Sequence, residues 1–161
     1  MKFLTRAVVA ALAVAAMAAV PAQADPATTI ECYGTVEITA TSNMDVRTKG
    51  SNTHVSFDFT ANHELCLEDG SHVMGTVTGH MKQRLGADGS LDLHFKETVY
   101  YGDGSLRFDG AASLDGGGWQ SEVHSKGHGT GVLAGIKGSG NFWPTDNTGT
   151  HFADHITYRY H

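Results

Sequence analysis

Apolar and polar residues alternate with a period of two along most of this chain, and no other feature constrains the fold as strongly. The alternating runs cover residues 30–40, 53–61, 90–101, 106–114, 119–123 and 152–160. Successive side chains of a strand point to opposite faces of a sheet, so such runs are typical of antiparallel strands with one buried face. No stretch after residue 24 keeps a helical period for more than about two turns. The sequence therefore predicts an all-β fold.

Turn-forming residues separate the alternating runs at short intervals. The dipeptide Asp-Gly stands at positions 69–70, 88–89 and 103–104, where a tight hairpin needs a positive φ. We therefore expect seven or eight strands joined by short hairpins in chain order. A meander of this length removes its exposed edges by closing on itself. The predicted architecture is a closed antiparallel up-and-down barrel of about eight strands, whose interior holds side chains or one small ligand.

The first 24 residues have the pattern of a secretory signal peptide. Lys2 and Arg6 give a positive start, Ala7–Val20 is uninterrupted and apolar, and Ala22-Gln23-Ala24 fits a small-x-small cleavage site. The apolar run is too short to span a membrane. We expect residues 1–24 to be removed and residues 25–161 to form a single β-barrel domain. The protein is predicted to be exported, either periplasmic or secreted.

Charge and cysteine content narrow the choice of partners. Residues 25–161 contain nine Lys and Arg against 17 Asp and Glu, which argues against nucleic acid and against stable anchoring to anionic membranes. Cys32 and Cys66 form an even pair, and in an oxidising compartment such a pair is expected to be a disulfide. The alternative is a reactive or metal-binding thiol, but the spacing of His63 and Cys66 has no second ligand pair to support a zinc site.

Residues 127–142 contain six glycines, at positions 127, 129, 131, 135, 138 and 140. They are interpreted as allowing a short helical turn around 132–134 and then a sharp bend into a strand at Lys137. The segment is not a phosphate-binding loop, because no Gly-Lys-Ser/Thr closes it.

The same segment carries a family resemblance. Gly129-Thr130-Gly131, Ala134-Gly135 and Lys137-Gly138-x-Gly140-x-Phe142 resemble the signature of the allene oxide cyclase-like superfamily, a calycin-type barrel group that includes plant allene oxide cyclases and dirigent proteins. The resemblance implies an eight-stranded barrel with an apolar cavity and frequent homo-oligomers. No catalytic residue carries over from the plant enzymes, because no matching residue pattern is present here.

Two acidic residues interrupt the apolar face of their strands. Glu97 is in register with apolar neighbours of the run 91–101, and Asp154 with those of the run 152–160. A carboxylate in an apolar cavity has a raised pKa and can serve as a general acid or base, and two of them can divide those roles. Glu97 and Asp154 are therefore the candidate catalytic residues. The alternatives are a β-bulge that shifts the register, or pairing with Arg84, Arg107 or a backbone donor.

The ten histidines are a second group of candidate functional residues. His124 and His128, and likewise His151 and His155, are four residues apart, which on a strand places them roughly 13 Å apart on one face. That distance is too long for one metal ion. We expect exposed histidines, no metal and no cofactor, while cross-strand pairing of histidines stays open.

Three function classes are compatible with this barrel. The favoured hypothesis is the binding of a small, largely apolar molecule, with a pocket formed by inward aromatic residues, namely Phe95, Tyr101, Trp119, Phe152 and Tyr158. The alternatives are a cofactor-free isomerase or cyclase of the allene oxide cyclase-like type, and an oligomeric barrel with no ligand. A polar inward pair at the pocket floor favours the isomerase, an entirely apolar cavity favours the binder, and a filled barrel favours the third class.

Overall fold

The alternating runs form eight antiparallel strands that close into a barrel. The computed structural model describes residues 27–161, so the predicted signal peptide lies outside the described residues. The strands are β1 Thr28–Lys49, β2 Asn52–Cys66, β3 His72–Leu85, β4 Leu91–Tyr101, β5 Gly104–Asp115, β6 Gly118–Ser125, β7 Lys137–Pro144 and β8 His151–Tyr160. They follow one another in chain order, and β8 pairs with β1. The predicted fold class is confirmed. Within residues 27–161, no helix is long and apolar enough to cross a membrane.

The ladder between β6 and β7 is the shortest in the barrel. Its paired residues are Val123 with Gly140 and His124 with Ser139. Side chains from β6 extend the contact: Trp119 Nε1 donates to the Phe142 carbonyl at 2.6 Å, and the Phe142 N–H donates to Ser121 Oγ at 2.9 Å. The barrel therefore closes at this position through side-chain hydrogen bonds as well as through the backbone.

The glycine-rich connection between β6 and β7 covers one end of the barrel. A single 3₁₀ turn spans Gly131–Leu133, and β7 begins at Lys137, as the sequence predicted. Gly131 and Gly135 have φ angles of 55° and 80°, a region that L side chains rarely adopt. The turn buries Leu133, and the bend that follows it buries Ile136. The glycines thus have a structural role, because they let the chain cross the barrel end and insert two apolar side chains.

A disulfide joins Cys32 on β1 to Cys66 at the end of β2, as the sequence predicted. The β1–β2 ladder begins only at the pair of Val36 and His63. The disulfide therefore holds the two strands together where their hydrogen bonding has not yet begun. The Tyr160 hydroxyl donates to the Cys66 carbonyl oxygen and ties the last strand to the same place. A disulfide is compatible with an exported protein.

Candidate functional site

A mostly apolar cavity lies inside the barrel, toward the end at which β8 begins. Its walls come from every strand except β5. Nine of the lining residues are apolar, and they are Val36, Ile38, Phe59, Met81, Phe95, Val123, Phe142, Phe152 and Ile156. The other three, His63, Glu97 and Asp154, are polar. The cavity has a volume of about 40 Å³, which is room for only two or three water molecules.

Glycines opposite the aromatic side chains allow those rings to lie inside the barrel. A Cβ atom at Gly79 would come within 2.3 Å of the Phe59 ring, and one at Gly110 within 2.2 Å of the Phe95 ring. Both distances are far below van der Waals contact, so any larger residue would displace the ring. The positions of Phe59 and Phe95 in the cavity wall therefore depend on glycines in the neighbouring strands.

The two acidic residues singled out in the sequence flank one buried histidine. His63 Nδ1 lies 3.2 Å from Glu97 Oε1, and His63 Nε2 lies 2.9 Å from Asp154 Oδ2. The exposed fractions of His63, Glu97 and Asp154 are 2%, 7% and 3%. The structure thus places both carboxylates on the inner face of their strands and brings them to opposite sides of one imidazole ring. We call these three residues the buried cluster.

Of the alternatives considered for the two acids, the structure shows only pairing with a backbone donor, and only for Asp154. The β-bulges of the β1–β2 pair lie in β1, and the register of β4 with β5 is continuous through Glu97. Arg84 pairs with Asp92 on the outer surface instead of with either inward carboxylate. Asp154 does use a backbone donor, because its Oδ1 accepts the Gly34 N–H at 3.1 Å.

Gly34 makes room for the buried cluster. A Cβ atom at this position would lie 2.8 Å from Asp154 Oδ1 and 2.6 Å from the Glu64 carbonyl oxygen. Only a glycine can bring its N–H this close to the carboxylate without displacing it. Asp154 thus accepts the Gly34 N–H through Oδ1 and forms an ion pair with His63 through Oδ2, whereas Glu97 contacts His63 through Oε1.

The carboxylates keep the histidine charged. Burial by itself lowers the pKa of His63, but the hydrogen bonds and negative charges of Asp154 and Glu97 outweigh burial and raise the pKa to about 10. Near neutral pH the ring is an imidazolium with a carboxylate beside each nitrogen. Burial, followed by the charge of Asp154, raises the pKa of Tyr158 well above its usual range, so this hydroxyl stays protonated. The Tyr158 hydroxyl has no hydrogen-bond partner among residues 27–161.

The predicted aromatic site residues are divided between the cavity and the surrounding core. Phe95 and Phe152 line the cavity, whereas Tyr101, Trp119 and Tyr158 lie outside its lining. Tyr101 and Trp119 are partly buried against the core, and Tyr158 is fully buried. Sequence reasoning did not single out His63 as a cavity residue. Extending the alternation of Phe57, Phe59 and Ala61 by one more step would have placed it on the inner face.

The paired histidines are on or near the outer surface. His124, His128 and His151 are exposed, and His155 is half-buried. His151 contacts Asp146 and Glu37, and His155 contacts Glu31. Within the described part of the chain, no group of three or more His, Cys, Asp or Glu residues is arranged to hold a metal ion.

Neither a protein-family model nor a curated protein matches this chain. The similarity of the glycine-rich segment to the allene oxide cyclase-like signature stays a prediction.

Proposed function

We propose that this barrel is an exported protein that binds a small, largely apolar molecule in its cavity. The observation that carries the proposal is the composition of the cavity wall, in which nine apolar residues surround one polar cluster. Small-molecule sites have this character, because apolar surface supplies affinity and a few placed polar groups fix orientation. Export is supported by the signal-peptide pattern of residues 1–24 and by the disulfide.

A bound molecule must enlarge the cavity by moving side chains. The volume of about 40 Å³ is well below the roughly 300–1,000 Å³ of typical ligand pockets. Three phenylalanines of the wall contact one another edge to face, with ring centroids 5.2 Å apart for Phe95 and Phe142, and 6.1 Å apart for Phe142 and Phe152. Rotamer changes at a site are common on binding. Rotation of these rings is the movement that we expect to admit the ligand.

Binding can be tested with a matched pair of substitutions. Val36 lines the cavity, whereas Val73 is also partly buried but lies outside the lining. Titration with the neutral dye N-phenyl-1-naphthylamine should give saturable fluorescence with the wild-type protein. Val36→Phe should weaken the binding of the dye by at least about tenfold, because a benzyl group at this position fills the cavity and leaves less wall for the ligand to contact. Val73→Phe should bind like the wild-type protein.

Native mass spectrometry of the exported protein gives an independent readout. We expect an adduct of one small molecule that is retained from the host and lost in Val36→Phe. No dye binding and no adduct with the folded wild-type protein would contradict the proposal. Equal dye affinity in Val36→Phe and the wild-type protein would show that the dye binds elsewhere, and would contradict it as well.

A second candidate function is a proton-transfer isomerisation or cyclisation in the same cavity. The buried cluster favours it, since a carboxylate and an imidazolium stand side by side at the cavity wall. Glu97 would take a proton from a substrate carbon, and His63 would deliver one to another atom of the same substrate. The substrate formula is unchanged, and a proton passing from Glu97 Oε1 to His63 Nδ1 restores the starting state.

This chemistry has a readout that does not need the substrate to be known. A molecule that is retained by the protein should gain deuterium from heavy water if Glu97 exchanges its proton. Glu97→Gln should abolish the exchange while the molecule stays bound. Binding without any exchange in the wild-type protein would leave the barrel as a binding protein and exclude this second function.

A further inference from the structure

The cavity has more negative than positive groups on its wall. Its ionisable lining residues are the two carboxylates of the buried cluster and the single imidazole between them. No lysine or arginine lies in the lining. With His63 protonated, one positive charge therefore faces two negative charges, and all three residues are buried. A buried charge that has no counterpart is costly, so this wall is poorly matched to an empty or neutral cavity.

Glu97 has one carboxylate oxygen that contacts no donor of the described residues. Asp154 accepts the Gly34 N–H through Oδ1, and its Oδ2 forms an ion pair with His63 Nε2 at 2.9 Å. Glu97 accepts from His63 through Oε1 alone. Among residues 27–161, no hydrogen-bond donor reaches Glu97 Oε2. A carboxylate oxygen can accept more than one hydrogen bond, so Oε2 of Glu97 is a free acceptor on the wall of an apolar cavity.

The aromatic residues beside Glu97 suit a cation. Phe95 precedes Glu97 by two residues on β4, so both side chains point to the same face, and both line the cavity. The faces of aromatic rings attract ammonium groups, most strongly where water is excluded. An ammonium group at Glu97 Oε2 would thus have a charged acceptor in a cavity that Phe95 also lines, while an alkyl chain would contact the other apolar wall residues.

We propose that the ligand of this cavity is an apolar amine, bound as its ammonium form with the nitrogen at Glu97 Oε2 and the hydrocarbon body against the aromatic wall. This inference rests on the proposed binding function and specifies its ligand class. An acid would place a second negative group beside Glu97 and is disfavoured. A neutral alcohol can donate one hydrogen bond to the same oxygen, but it supplies no positive charge.

The test compares three ligands with the same hydrocarbon body, namely n-hexylamine, 1-hexanol and hexanoate. Isothermal titration near neutral pH, or displacement of N-phenyl-1-naphthylamine, should show hexylamine binding at least about tenfold more tightly than hexanol. This difference follows because hydrogen bonds between charged partners are roughly twice as strong as neutral ones. Hexanoate should bind more weakly than hexanol.

Glu97→Gln is the matched variant, since it keeps the shape and removes the charge. It should reduce the amine-to-alcohol affinity ratio by about tenfold, because loss of the negative charge weakens amine binding more than alcohol binding. Glu64→Gln is the control, because Glu64 is a partly exposed carboxylate that pairs with His72 and is not part of the cavity lining. This control should keep the wild-type ratio. Circular dichroism melting curves establish that each variant is folded.

The outcomes separate this inference from the proposed function. Hexanol binding as tightly as hexylamine to the wild-type protein would overturn the amine inference and leave the binding function in place. An unchanged ratio in a folded Glu97→Gln variant would also overturn it, because the amine would then be recognised elsewhere. Failure of the dye and of all three hexyl compounds to bind would contradict the binding function itself.

Discussion

Replacing His63 with glutamine tests whether the imidazolium neutralises the two carboxylates inside the barrel. Both ring nitrogens are within hydrogen-bond distance of a carboxylate oxygen, and all three groups are buried. The variant therefore leaves Glu97 and Asp154 in a low-dielectric interior with no cation between them. Removing one partner of a buried ion pair costs about 3–5 kcal/mol in the free energy of unfolding. In a domain of this size, that loss lowers Tm by roughly 10–15 °C.

Urea unfolding at two pH values gives the decisive measurement, with the disulfide kept intact in every sample. Near neutral pH, the free energy of unfolding of the variant should be lower than that of the wild-type protein by most of the expected loss of about 3–5 kcal/mol. At acidic pH, protonation of a carboxylate removes the repulsion between the two buried groups. The difference in unfolding free energy between the variant and the wild-type protein should therefore shrink as the pH falls.

Two further variants show whether charge is the cause of this loss. The double variant His63→Gln/Glu97→Gln removes one of the two negative charges, so near neutral pH it should be more stable than His63→Gln alone. His72→Gln is the surface control, because His72 pairs with Glu64 where both side chains are partly exposed, and exposed pairs contribute about 0–1 kcal/mol. A loss below about 1 kcal/mol in His63→Gln, or a double variant no more stable than the single one, would refute the reasoning.

Three other predictions concern stability. Wild-type stability should decline as the pH rises from 6.5 to about 10, because the pKa of His63 is raised in the folded state. The contribution of His63 to stability is complete only below its pKa in the unfolded chain and is lost as the pH rises through its folded pKa. Urea unfolding as a function of pH measures this decline, and a flat profile would disprove it. Replacing Cys32 and Cys66 with alanine should lower the free energy of unfolding by about 4 kcal/mol, since the bond closes a loop with a sequence separation of 34. Alkylation that finds two free thiols in the unreduced protein would contradict the bond itself. Gly131→Ala should destabilise by more than Gly127→Ala in thermal melts, because both have positive φ but only Gly131 faces backbone atoms within 3 Å; equal losses would show that the close contact is unimportant.

The fold could be predicted because its signals are local. Alternation along β4 and β8 identifies an inner face without reference to any other strand, and the Asp-Gly pairs mark turns by their own backbone preference. Closure then follows from the number of strands, since a long meander leaves two open edges unless it closes. The same local signal was enough to orient Glu97 and Asp154, because each shares the phase of its apolar neighbours.

The buried cluster could be predicted only in part, because its contacts join strands that are distant in sequence. Glu97 is 34 residues from His63, and their proximity depends on the register with which β2, β3 and β4 pair. Register across a barrel is a property of the whole closed sheet rather than of any one strand. The division of the aromatic residues has the same origin: Tyr101 and Phe95 share a face of β4, but their heights along the barrel decide which one reaches the cavity.

The energetic character of the buried cluster favours a role in function over a role in stability. Burying three ionisable groups in a barrel core costs desolvation energy, and apolar residues of similar volume often serve a core equally well or better. The opposite end of this barrel is closed by Leu133 and Ile136, held by the glycine-rich connection and accompanied by the disulfide. The apolar residues and the disulfide at this end of the barrel therefore stabilise the fold. The charged groups are concentrated where the interior is hollow, and there a ligand can meet the free oxygen of Glu97.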